Sequence, residues 1–531
     1  MKTRYFLLFL TIFLYACTSH EEDLPDPDPG KEEPVWSVID DTFKPTKRIA
    51  LLDLTQRNNE DESGNINGRN LYSAEYMLEI AGTPSFTTKD IKEAIEKGSV
   101  ILFSSPVLSN TFTSIELDEL LEWVRSGGII VSPALVNITS QTELLFGITD
   151  SKYNKLRHSI FWESSQMTEK ELEYMDEEEE KSISTGKEGD TSGQAIKSYG
   201  YTVSSADVLA SFNSGEAAVV HNKLGDGTVY SFGLLWRDII QRSQLNKDFS
   251  ASRIFSNGFE PSADIIPLFI RSLYTKHQPT VVWKFTIPDG FQSVLIPTHD
   301  CDSRTAYDEM WHMSTYEKKI GLKAHYFITI HYFRDKSYLS AFYDDDAIKK
   351  CKELLEDGHS IGSHSIGHFL DFSVTERFPM TIVSKDTYRP THDITTGITT
   401  DGSTWGEVIL SKQIIEADLG NKVRSFRTGH LVTNKLLPKA QLEGGYSFSS
   451  CFGAGHLLSQ FPFQERLGYE WIGELSSVLQ MPLHLSDVFT DEPMDEDNWR
   501  EKIPIWLETL NKLKGNYAPA ILLIHPNREW K

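Results

Sequence analysis

Ser293-Val294-Leu295-Ile296-Pro297-Thr298-His299-Asp300-Cys301-Asp302 is an apolar run that ends in two carboxylates. A short unbroken apolar run reads as a buried strand, and acids at its end stand where βα architectures collect their functional groups. Asp300 and Asp302 are two residues apart, so at strand spacing they share a face. Downstream lies Gly358-His359-Ser360-Ile361-Gly362-Ser363-His364-Ser365-Ile366-Gly367-His368. His364 and His368 are four apart, so a helix or tight turn brings both imidazoles to one side. Gly358, Gly362 and Gly367 let the backbone turn sharply or approach a ligand. Asp302, His364 and His368 make a three-ligand set with an open fourth position, and Asp300 is left as a spare base. That is the inventory of a hydrolytic zinc-type centre. An HxxxH pair alone is common on surfaces, and two acids at a strand end can simply cap loops. The combination makes an enzyme the leading expectation.

The chain has 531 residues, which predicts two or more domains. Its net charge of -24 argues against nucleic acid or an anionic membrane surface as a partner. Asp176-Glu177-Glu178-Glu179-Glu180 reads as a solvated loop, since it lacks the alternating ligand spacing of a calcium loop. Lys2 and Arg4 precede an apolar run from Tyr5 to Tyr15 that is too short to span a bilayer. Leu14-Tyr15-Ala16-Cys17 resembles a bacterial lipobox, which implies a signal peptide over 1–16 and a lipid on Cys17; two or three acyl chains there would anchor the protein firmly. An ordinary signal peptide with a chance Cys is the alternative. The acid- and Pro-rich sequence that follows predicts an extended tether over 17–47. Its acidic start resembles the surface-export signal of Bacteroidetes lipoproteins, which points to the outer membrane, facing outward. Cys301, Cys351 and Cys451 remain, an odd number without a CxxC pair, so no disulfide framework is expected. A Cys301–Cys451 bond stays open.

From Arg48 short apolar runs alternate with amphipathic ones, the pattern of an α/β fold with a mostly parallel sheet. Strands are expected at Ile49–Leu54, Val100–Phe103 and Gly128–Val131. A helix with the apolar stripe Ile115, Leu117, Leu120, Leu121, Trp123 and Val124 precedes the third and ends at Gly127-Gly128. Ala217–Val220 and Thr228–Phe232 flank Gly225-Asp226-Gly227, a hairpin signature, and a helix is expected near Trp236–Ile240. Residues 48–278 resemble the flavodoxin-like sheet of class I glutamine amidotransferases, on the strength of Leu120–Gly128 and Gly225–Tyr230. No Cys lies between Cys17 and Cys301, so the family's Cys-dependent chemistry is absent. Ser104 and Ser105 occupy the corresponding turn, and a binding or scaffolding role is expected. Gln278-Pro279 marks the junction; Val281–Phe285 and Ser293–Ile296 begin a second strand set. Glu163–Ser198 reads as a polar insertion.

Within 279–531, Thr298-His299-Asp300-Cys301-Asp302 and His364-Ser365-Ile366-Gly367-His368 resemble the first two motifs of the polysaccharide deacetylase family, the NodB-type carbohydrate esterases. The resemblance covers about Ser293 to Pro526. Gly321–Ile328 is similar to the family's second strand, and Ser411–Glu416 to the helix before its third motif. Phe426-Arg427-Thr428-Gly429 resembles the Arg motif, which implies that Arg427 holds Asp300 ionised and oriented. Leu522-Leu523-Ile524-His525 resembles the last motif, which implies a general acid at His525. Three departures stand out. Cys301 separates two acids that are usually adjacent. Gly429 replaces the Pro two residues after the Arg. Ser449 stands where an Asp usually tunes the acid His, and Asp487 is the residue that could substitute. His359 and His430 are extra imidazoles, read as structural or substrate-contacting.

The resemblance implies a distorted (β/α) barrel of NodB type, with the site at the strand C-termini. It implies metal-dependent deacetylation of an N-acetyl or O-acetyl polysaccharide at the cell envelope. Asp302, His364 and His368 would hold the metal, Asp300 would act as base and His525 as acid, with Arg427 steadying the base. Zinc is the first choice of ion, and cobalt, nickel or manganese suit the same donors. A glycan-binding pseudoenzyme and an envelope assembly module are the alternatives. Trp405 and Tyr446 could stack on sugars, though such residues usually belong to a core.

Overall fold

Short strands, the central ones built from β-branched and aliphatic runs, form two large mixed sheets in the computed structural model of the chain. It describes residues 47–59, 69–162, 181–185, 188, 197–244, 255–260, 262–278, 281–282, 284, 286–288, 290–334, 341–470 and 474–528. The signal segment, Cys17, the tether, Asp176–Glu180 and most of the polar insertion lie outside these residues. No helix among the described residues is long and apolar enough to cross a membrane.

The first sheet has eleven strands. β1 (Arg48–Leu52), β2 (Ser85–Thr88), β3 (Gly98–Phe103) and β4 (Ile129–Ser132) are parallel in the order β2-β1-β3-β4. Seven more strands extend it: β5 (Ile148–Asn154), β6 (Ser159–Trp162), β7 (Ser182–Ser184), β8 (Ser198–Val203), β9 (Asp207–Phe212), β10 (Ala217–Leu224) and β11 (Gly227–Phe232). β10 and β11 form the expected hairpin, with Leu224 opposite Gly227 across a two-residue turn. β11 then joins β4 in parallel. The expectation of a mostly parallel sheet fails beyond β11, where β5 to β10 pair antiparallel; for β9–β10 and β10–β11 the short connecting turns can only return the chain antiparallel.

Helix α1 (Arg69–Ala81) packs against the helices Trp236–Gln244 and Ile265–Lys276, and α2 (Ser114–Arg125) carries the expected stripe with one correction. Leu117, Leu120 and Val124 are buried, whereas Ile115 is 72% exposed in the first turn. Thr113 and Glu116 close a capping box there, satisfying helix-end amides that Ile115 cannot reach. Helix α3 (Trp236–Gln244) follows the hairpin. The strand expected at Val281–Phe285 does not form among its described residues, which are irregular; the strand begins at Leu295.

The second sheet has nine strands. They are β12 (Leu295–Cys301), β13 (His325–Ile328), β14 (Ser360–Ser363), β15 (Ser425–Phe426), β16 (Phe448–Ser449), β17 (Phe463–Arg466), β18 (Leu475–Gln480), β19 (Leu485–Ser486) and β20 (Ala520–Ile524). Their order is β17-β18-β16-β15-β14-β13-β12-β20-β19, parallel except for the β17–β18 pair. Among the described residues its ends, β17 and β19, are not hydrogen-bonded to each other. A helix, α4 (Ser411–Leu419), precedes β15.

One apolar cluster runs from Ile49 and Phe232 to Tyr326 and Phe426, so the two sheets share a core. Polar clamps reinforce it. Buried Arg271 donates to the carbonyls of Ala81 and Asn516, at 2.7 and 3.1 Å. Tyr76 donates to the Gln464 carbonyl at 2.8 Å. Asn257 accepts from Ser486 N at 2.7 Å and from Trp506 Nε1 at 2.8 Å. Cys301, Cys351 and Cys451 are buried free thiols, so no Cys301–Cys451 bond forms.

Candidate active site

Alternation along β12 sends Thr298 and Asp300 to one face of the sheet and His299 to the other. His299 bonds Glu317 Oε1 at 2.7 Å on a neighbouring helix. Asp300 instead meets Arg427, which follows β15: Nη1 donates to Asp300 Oδ1 at 2.7 Å and to Thr298 Oγ1 at 3.0 Å. The guanidinium is fully buried, lies over the Phe327 ring at 4.2 Å, and donates to the Ser450 carbonyl and hydroxyl. Burial pushes the Asp300 carboxyl up, but Arg427, aided by His364 and His525, holds it below the usual carboxylate range. It is a buried, oriented anion.

The two His follow β14 in a loop, not a helix. Ser365 and His368 take positive φ, 72° and 53°, and so bend it tightly. The His364 Nδ1–H donates to the Arg427 carbonyl at 2.9 Å, leaving Nε2 to face Asp300 Oδ2 at 3.5 Å. His368 Nε2 faces Asp302 Oδ2 at 3.9 Å, and the two rings are 4.8 Å apart. Burial, then His364 and other neighbouring imidazoles, pushes His368 far below an ordinary imidazole, so it is neutral. Gly429 explains one departure from the family pattern: a Cβ there would come within 2.7 Å of the His368 ring.

Sequence reasoning missed Glu407. It lies on a short π-helix, Gly406–Leu410, and its buried carboxylate accepts from the amides of Ile366 and Gly367 at 3.0 and 2.8 Å. Tyr388 donates to its other oxygen at 2.7 Å. It therefore ties down the loop between His364 and His368. Its only sequence signal is a lone acid in the apolar run Trp405–Leu410.

His525, just past β20, has its ring Nδ1 2.8 Å from Asp487 Oδ1, and its amide donates to Asp487 Oδ2 at 2.9 Å. Asp487 is fully buried. Burial disfavours the imidazolium, but Asp487, with Asp300 and Asp302, raises His525 to about 9. Ser449 takes no part: it accepts from Gln441 and donates to Gln480, in a neutral buried relay. Tyr446 is buried and donates to the Val408 carbonyl, so it is not a sugar platform, while half-buried Trp405 packs one side on the core. His430 lies tilted against His368, with centroids 4.3 Å apart, while His359 is buried beside Glu317.

Two imidazoles and a carboxylate are the right donors for zinc or a similar divalent ion. Ligands of one tetrahedral ion lie about 3.3 Å apart, given bonds of about 2.0–2.1 Å; the 3.9 Å between His368 and Asp302 is slightly wider. Among the described residues no group of three or more His, Cys, Asp or Glu gathers as a ready-made metal site. The donors fit in kind, but they are not drawn together around one point: His364 faces Asp300 and His368 faces Asp302.

No sequence-family model matches the chain, and no curated protein does. Solved structures give loose likenesses. A polysaccharide deacetylase assignment from Mycobacterium smegmatis is 15% identical over 48% of this chain and 83% of its own, with a TM-score of 0.33. A CE4 family pseudoenzyme from Bacillus anthracis is 14% identical over 45% of this chain and 56% of its own, at 0.22. A β-galactosidase from Bacillus circulans is 16% identical over 42% and 28%, at 0.26. Superpositions this loose identify neither a family nor an activity.

Proposed function

We propose that the chain is a metal-dependent hydrolase that removes acetyl groups from a polysaccharide at the cell envelope, anchored there through a lipid on Cys17. The observation that carries this reading is a pair of titratable groups driven apart in one site. Arg427 keeps Asp300 ionised, while Asp487 keeps His525 protonated. A base and an acid that hold opposite protonation states at one pH are what acyl transfer from an amide or ester requires. Asp302, His364 and His368 would hold the divalent ion, which supplies Lewis acidity toward the acetyl carbonyl. Asp300 takes a proton from the attacking water, whose oxygen bonds the carbonyl carbon. His525 gives its proton to the leaving amine or alcohol as the acyl C–N or C–O bond breaks.

Acetate release from a panel of acetylated glycans tests this, using soluble protein starting near Trp36, with and without chelator, beside Asp300→Asn. Release that needs metal and disappears in the variant is expected. No release from any glycan, despite tightly bound metal, would replace the enzyme with a glycan-binding pseudoenzyme.

A further inference from the structure

The inner face of the second sheet has two ends. Asp300, the His pair and His525 gather where its strands finish. Where they begin lies a cavity of about 360 Å³ that the proposed reaction does not use. Small-ligand sites span about 300–1,000 Å³. The apolar wall is Ile296, Phe327, Ile361, Phe448, Met481 and Ile521. Phe448 is 42% exposed, so the cavity opens to solvent past an uncovered aromatic ring.

The charged groups that line it are all of one sign. Lys422 and Arg424 line the cavity from exposed positions, buried Arg427 lines it from within with its guanidinium committed to Asp300, and no Asp or Glu does. Half-buried His325 adds no charge: its ring nitrogens engage the Ser360 and Ser425 hydroxyls, both at 2.6 Å. Burial, reinforced by Arg427, lowers it to about 3. On a chain carrying a net charge of -24, an apolar opening edged by cations and lacking any acid is an exception to a surface that repels anions. Apolar walls with a few placed polar groups are the usual composition of a small-molecule site.

We infer that this cavity binds a small amphipathic carboxylate, an alkyl or aryl acid of medium length. Its tail lies among Phe327, Ile361 and Ile521, and its carboxylate meets Lys422 and Arg424. The cavity touches the proposed hydrolytic centre at Thr298 and Arg427, while Lys422 and Arg424 stand outside that centre, and its occupancy does not depend on that centre's activity.

Titration calorimetry of the full soluble protein with octanoate, octanol and acetate tests it. Saturable one-to-one binding of octanoate is expected, with octanol bound about tenfold more weakly and acetate not at all. The double variant Lys422→Glu, Arg424→Glu, changed only at exposed positions, should weaken octanoate at least about tenfold and leave octanol unchanged. Ile521→Trp should block both by filling the cavity. If that variant does not fold, the double variant decides. Octanoate that fails to saturate, or that binds the double variant as tightly as the parent, overturns the inference.

Discussion

Replacing Asp487 with Asn tests whether His525 is the acid. The carboxylate holds the ring at 2.8 Å and is the main reason its pKa reaches about 9. Asn keeps the shape and one acceptor but removes the charge. A hydrogen bond to a charged group is worth about 1.5–3 kcal/mol, and one pKa unit is about 1.4 kcal/mol. The His525 pKa should therefore fall by about 1–2 units. In a pH–rate profile of acetate release, the parent should lose activity as pH rises through about 9, where the acid loses its proton. The variant's alkaline limb should move down by the same 1–2 units or so, with the acid limb unmoved. Stability must follow the same sign. The folded pKa lies above that of a free imidazole, so the pair's contribution is complete below about pH 6.5. It is lost as pH rises through about 9. Chemical denaturation of the parent between pH 6 and 10 should show that loss, and the variant should show less of it. An alkaline limb that stays in place in a folded, active Asp487→Asn protein would refute the assignment of His525 as the acid under Asp487's control.

Arg427→Ala leaves Asp300 buried without its cation and should cost about 3–5 kcal/mol of stability by urea denaturation, besides abolishing acetate release. Glu407→Gln frees the amides of Ile366 and Gly367 from a charged acceptor and should weaken zinc binding about 10–100-fold in a competition assay, because a group that orients ligands has been lost. Gly429→Ala drives a methyl group into the His368 ring and should weaken zinc binding similarly while leaving the Asp487–His525 pair and its alkaline pH limb in place.

The sequence carried local signals well. The β10–β11 hairpin is readable because its turn is two residues long, and β12, β13 and β20 because buried parallel strands are nearly continuous apolar runs. What escaped depends on register and distance. Asp487 is readable only as a candidate partner for His525: the two are 38 residues apart and meet because Ser486 on β19 pairs with Leu523 on β20. Glu407 acts on amides about 40 residues upstream, through a π-helical turn that no spacing rule predicts. Of the antiparallel half of the first sheet only the β10–β11 hairpin is legible, because β5 and β8 pair across more than forty intervening residues and no local turn announces them. Ile115 was misplaced because a capping box, not periodicity, governs a helix's first turn.

Asn257 sits between the two sheets in sequence, yet its side-chain oxygen supports the Ser486 amide, one residue before Asp487. Its amide nitrogen donates to the Val488 carbonyl, one residue after, at 3.0 Å. The segment that orients His525 is thus braced from both sides by a residue upstream of the conventional cut at Gln278-Pro279. Anyone who expresses the second half alone, to simplify crystallisation or assay, would remove that brace. A silent fragment would then report on where the chain was cut and not on whether the whole protein hydrolyses acetyl groups.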